Sequence, residues 1–133
     1  GALSHRNLII NGAMQVWQRG TSATNVSTGY VGVDRYKFQD NTTGAWTVER
    51  STDAPEGFGY SAKMVVTTAD TSIGSTEYAE IGTRFEGQDV QSFAYGTNNA
   101  KDITFSLWAK SSKTGTYTVT FFFFFATRYH YVK

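Results

Sequence analysis

Between residues 103 and 121 the side chains alternate so regularly that an extended chain would have one apolar face and one polar face. Ile103, Phe105, Leu107 and Ala109 fall on one side, and Thr104, Ser106, Trp108 and Lys110 on the other. Residues 111–115, Ser-Ser-Lys-Thr-Gly, form a turn cluster. The alternation then resumes, with Tyr117, Val119 and Phe121 opposing Thr116, Thr118 and Thr120. Two period-2 runs around a glycine-containing link predict a β-hairpin. Composition extends the same reading to the rest of the chain: 16% of residues are aromatic, Thr and Gly are abundant, and Pro55 is the only proline. Thr and aromatic residues suit pleated, half-buried surfaces, and Gly punctuates turns. The expectation is a single all-β domain over residues 1–133.

Further strands are expected at Leu8–Ile10, Ala13–Arg19, Asp34–Gln39, Ala45–Arg50, Ser61–Thr68 and Glu77–Phe85. Polar turn segments separate them at 20–29, 40–44 and 52–57. Asn11-Gly12 is a turn signal, with Gly12 the residue expected in the left-handed region. Only Asp89–Tyr95 hints at helix, through Val90, Phe93 and Ala94 at one-turn spacing. About seven strands with a turn every ten residues or so predict an antiparallel sandwich or barrel. The chain begins at Gly1 and ends at Tyr131-Val132-Lys133 within an apparent strand, so a fragment of a longer chain, truncated at its C-terminus, is expected.

Several function classes are disfavoured. A net charge of +1 argues against a broad basic surface for nucleic acid. There is no cysteine, and His5 and His130 are the only histidines, so cysteine metal sites and a three-histidine site within one chain are impossible. The longest apolar run, Phe121–Ala126, is far too short to span a bilayer as a helix. No Gly-x-Ser-x-Gly elbow or phosphate-binding glycine loop occurs. Glu77 and Glu80, three apart, fall on opposite faces of a strand, whereas Glu80 and Arg84 share one and are expected to pair. No cofactor or metal is implied. A carboxylate pair assembled from distant strands is the remaining route to catalysis.

The aromatic residues carry most of the chemistry. Trp108, Trp17, Trp46 and Tyr30 are candidate stacking platforms for sugars, offering an apolar ring face with polar edges. Core packing is the alternative for each. Trp108 is the leading candidate because its strand face also carries Thr104, Ser106 and Lys110. In the run of five phenylalanines from 121 to 125, Phe122 and Phe124 oppose the other three and need a cover of their own, which makes them candidate interface residues.

The N-terminal stretch from Gly1 to Ser22, Gly-Ala-Leu-Ser-His-Arg-Asn-Leu-Ile-Ile-Asn-Gly-Ala-Met-Gln-Val-Trp-Gln-Arg-Gly-Thr-Ser, resembles a module of phage tail-fibre and related virion proteins, many from phages of marine bacteria. The resemblance continues at Asp34-Arg35-Tyr36, at 77–87, at 104–112 and at 115–119, in the same order, and covers most of the chain. The chain departs from the pattern by stopping where related sequences continue, and in its unbroken phenylalanine run. Such modules resemble carbohydrate-binding jelly rolls, and none of their motifs is a catalytic signature. The resemblance therefore implies a non-enzymatic structural module on a virion appendage. It would present a surface to host glycans and assemble with other virion subunits, with a homotrimer as the first expectation and no membrane insertion. The rival expectations are a purely structural assembly or decoration domain, and a glycan-degrading enzyme domain.

Overall fold

The computed structural model describes residues 7–122. The chain is all-β: among the described residues there are six short strands in two antiparallel three-stranded sheets, and a single 3₁₀ turn at Gln91–Phe93 where the helix hint lay. The strands are β1 (Ser22–Thr24), β2 (Thr28–Gly29), β3 (Tyr36–Asp40), β4 (Ala45–Ser51), β5 (Ser61–Thr68) and β6 (Ala79–Thr83). One sheet has the order β1-β4-β5 and the other β2-β3-β6. The link between β3 and β4 carries the chain from one sheet to the other in four residues. Asp40 holds it by accepting from the backbone N–H and hydroxyl of Thr42, at 3.0 and 2.8 Å.

The sheets pack face to face as a small β-sandwich. Phe38 of β3 and Val48 of β4 are almost wholly buried against each other and against Val26, which lies in the connection from β1 to β2. Trp46 tilts onto Phe38 with ring centroids 5.9 Å apart. A second cluster gathers Trp17, Val33 and Tyr36, with Ala62 of β5 and Ile81 of β6 packed on it. Period-2 spacing explains the selection: Trp46 and Val48 on β4, and Tyr36 and Phe38 on β3, are alternate residues aimed at one face.

Residues 7–19 pack without forming a strand. Neither Leu8–Ile10 nor Ala13–Arg19 joins a sheet, whereas the polar 20–29 segment, expected to be loop, supplies β1 and β2. Asn11 organises the turn: it takes the left-handed conformation (φ 57°), while Gly12 stays outside that region, contrary to expectation. Asn suits this because its short polar side chain can satisfy nearby backbone groups. Its Oδ1 accepts from the N–H of Gln15 and of Val16, both at 3.0 Å, and its Nδ2 donates to the carbonyls of Val16 at 3.0 Å and Asp34 at 2.9 Å. The ring of Trp17 then closes over Gly32 (φ 69°), where an added Cβ would lie 2.9 Å from the indole.

The predicted hairpin at 103–121 is the main difference. Among the described residues, 102–121 make no backbone–backbone hydrogen bond and belong to neither sheet. The chain does fold back on itself, because Phe105 and Phe121 meet edge to face at 5.1 Å and Ser111 Oγ lies 2.5 Å from the Tyr117 hydroxyl. Side chains close this arm where a backbone ladder was expected. The further strand content expected from Phe122 to Lys133 falls almost wholly outside the described residues.

Candidate functional site

The four candidate ring platforms are dispersed. Trp17 is 9% exposed, and its Nε1 donates to the Met14 carbonyl at 2.6 Å; the ring is a core element with no open face. Trp46 is half-buried against Phe38, and its Nε1 is buried with no acceptor among the described residues. Tyr30 is 44% exposed in the segment following β2. Trp108 is 79% exposed, the most open of the large apolar side chains of the described residues. Among these residues no ring contact joins Trp108 to the other three.

The surroundings of Trp108 are polar at both ends of its arm. Two residues on, Lys110 Nζ reaches Asp53 Oδ2 at 2.7 Å, tying the arm to the loop between β4 and β5. Beyond it, Ser111 Oγ and the Tyr117 hydroxyl both lie 3.0 Å from the Lys113 carbonyl, which fastens the tip. Thr104, Ser106 and Trp108 are all exposed. An open indole beside hydroxyls and a charge can stack on the apolar face of a pyranose while its neighbours meet the hydroxyls. The opposite side of the arm is apolar, and Ile103, Phe105 and Leu107 remain 40–54% exposed. With Phe93, Tyr95 and Phe121, Ile103 and Phe105 line an open cleft of about 390 Å³ at the base of the arm. Those walls suit packing better than sugar recognition. Phe122 is 48% exposed, and Phe124 lies outside the described residues.

The charged groups serve the fold. Buried Asp34 accepts from the Gln18 N–H at 3.2 Å and pairs with Arg19 at 3.0 Å, which pins the N-terminal segment to the start of β3. Glu49 and Lys63 pair at 2.8 Å across β4 and β5. The expected Glu80–Arg84 pair is not among the ion pairs of the described residues, because β6 ends at Thr83 and Arg84 leaves the strand. Glu77 lies ahead of β6 and accepts from the Gly74 N–H, holding a turn. Among the described residues no three of His, Cys, Asp and Glu gather at metal-binding distance. His5 and His130 lie outside those residues. No helix of the described residues is long and apolar enough to cross a membrane.

Sequence reasoning missed Asn11 and the Lys110–Asp53 tether. Asn11 was visible as a turn residue, but its neighbour Gly12 carries the stronger left-handed signal. A contact between residues 57 apart leaves no local sequence trace. No protein-family profile, curated protein or solved structure matches the chain.

Proposed function

We infer that this chain is a non-enzymatic structural module of a phage virion appendage, with the jelly-roll type of sandwich, and that it presents Trp108 to host glycans. The observation that carries the glycan reading is the 79% exposure of Trp108 on a hydroxyl-bearing arm outside both sheets. A ring of that size left open on polar surface is more informative than a scattered exposed Leu. The virion assignment rests on the ordered resemblance from Gly1–Ser22 to 115–119. A single stacking site binds a glycan with a Kd on the millimolar scale, about −4 kcal/mol.

Glycan-array binding compared between the wild type and Trp108→Ala tests the reading. Loss of binding with an unchanged melting temperature supports it, and glycan binding that survives the substitution refutes the Trp108 platform. The apolar row Ile103, Phe105 and Leu107 favours a second reading, an assembly domain whose arm is covered by neighbouring subunits. A homotrimer is the first such assembly to test. Obligate oligomerisation with no response to any glycan would select it.

A further inference from the structure

We propose that residues 103–110, which pair with neither sheet in this structure, dock as a fourth strand on the open edge of β5, antiparallel to it and with Lys110 opposite Ser61. Three observations point to that edge, and the third sets the register. The first is the face left open on β5. Val48 pairs with Met64 and Trp46 with Val66, so Met64 and Val66 point to the same side as the buried core, yet they are 39% and 49% exposed. A sheet face that begins in the core and ends in water lacks a cover at its edge.

The second is the arm itself, whose apolar row is exposed and whose backbone from 102 to 121 has no backbone partner among the described residues. An extended segment with that pattern satisfies its N–H and C=O groups by joining a sheet edge. The third is the tether. Ser61 Oγ donates to the Asp53 carbonyl at 2.8 Å, and Lys110 Nζ donates to the Asp53 carboxylate at 2.7 Å, so Lys110 and Ser61 share one anchor at the β4–β5 turn. Running the arm back from that anchor sets Ala109 opposite Ala62, Leu107 opposite Met64, and Phe105 opposite Val66. Every inward position is then apolar, and a slip by one residue would place Thr104, Ser106 and Trp108 there instead.

The pairing also assigns the outer face. Trp108 comes to stand opposite Lys63, which is already paired to Glu49 on β4. The result is a row of one indole, one ammonium and one carboxylate across three neighbouring strands. Resting on the glycan reading for this clause alone, the row is a sugar subsite in which Trp108 stacks while Lys63 and Glu49 bond to hydroxyls.

Disulfide trapping tests the strand without reference to any glycan, and the absence of native cysteine makes it clean. Directly opposed antiparallel residues bring Cα atoms about 4.5–5.5 Å apart, within disulfide reach. Met64→Cys with Leu107→Cys should oxidise to an intramolecular crosslink in the full chain, whereas Val65→Cys with Leu107→Cys, on opposite faces, should not. A folded Met64/Leu107 variant that stays reduced, or crosslinks only between chains, overturns the proposal, as does equal crosslinking of the control. Amide exchange on the unsubstituted chain decides the matter if the variants fail to fold: slowed exchange at alternate residues of 103–110 supports the strand, and uniformly fast exchange overturns it. Given a formed strand, Lys63→Ala should weaken binding of any glycan that needs Trp108, and unchanged binding would remove Lys63 from the subsite.

Discussion

The region from β1 to β6 and the arm at 101–122 are built from the same kind of sequence and reach different states. β4 alternates as Trp46, Val48 against Thr47, Glu49, and its Val48 is wholly buried. The arm alternates as regularly, and its apolar row is about half in water. Partners make the difference. β4 lies between β1 and β5 and faces β3 across the core, so its backbone is laddered and its inward row is covered. The Lys101 N–H fastens the base of the arm to the Phe93 carbonyl at 2.9 Å, and among the described residues the stretch 102–121 is held by side-chain contacts that include an edge-to-face ring pair, a Ser–Tyr contact and one exposed ion pair. Exposed ion pairs contribute only about 0 to 1 kcal/mol, so this closure is weak beside a buried ladder. Alternation specifies which face wants burial. Burial itself depends on what the rest of the molecule provides.

Truncating matched aromatics separates the two regions most directly. Phe38→Ala should lower unfolding stability by about 3 to 5 kcal/mol, since it empties the centre of the sandwich. Phe105→Ala should cost only about 1 kcal/mol for the arm as it stands open in this structure, whereas the docking proposed on β5 predicts a loss close to that of Phe38 in the same denaturant titration. Asn11→Ala removes four side-chain hydrogen bonds at about 1 kcal/mol each, so a loss of about 2 to 4 kcal/mol is expected. Chemical denaturation would check it, and an effect under about 1 kcal/mol would show that water replaces those bonds. Gly32→Ala should cost about 1 to 3 kcal/mol through the forced contact with Trp17, while Gly115→Ala, with open space around it, serves as the control on the arm.

The smallest expected effects are pH-dependent and fall in the sandwich half. Burial pushes the Tyr36 phenol above its ordinary value, so the folded state keeps a proton that the unfolded chain loses near pH 10. Its contribution to stability is complete below that pH and declines as pH rises further. Asp70 behaves oppositely. The N–H groups of Ser72 at 2.8 Å and Thr43 at 3.0 Å hold its carboxyl below the usual carboxylate value. Its small contribution is present above the ordinary carboxylate pKa and disappears as pH falls through the lower folded value. Thermal melts of Tyr36→Phe and Asp70→Asn against wild type, at alkaline and acid pH respectively, should show flatter profiles at those extremes.

Much of the sandwich was legible because its strands announce themselves by period. β5 occupies Ser61–Thr68 as expected, and β3, β4 and β6 fall within two residues of the expected limits. What escaped were elements whose identity is set by neighbours. β1 and β2 are polar, two or three residues long, and are strands only because β4 and β3 lie alongside. Leu8–Ile10 and Ala13–Arg19 read as strands, but the left-handed Asn11 and Met14 turn the backbone too sharply for a ladder. Burial of Trp17 was equally invisible, since it depends on Gly32 passing beneath the ring. Exposure of Trp108 was readable from its own face, because Thr104, Ser106 and Lys110 mark that side for water.

The three tryptophans equip the chain with an optical readout of its own state. Trp17 donates to a carbonyl in the core, the Trp46 indole N–H is enclosed without an acceptor among the described residues, and Trp108 stands in water. Emission from Trp46 should lie furthest to the blue, since its indole N–H is enclosed and has no acceptor among the described residues. Trp108 should emit furthest to the red. A neutral collisional quencher would dim the red component first, and a sugar stacked on that ring would protect it. Melting of the sandwich would instead shift the blue component, so one cuvette separates what happens on the arm from what happens in the core.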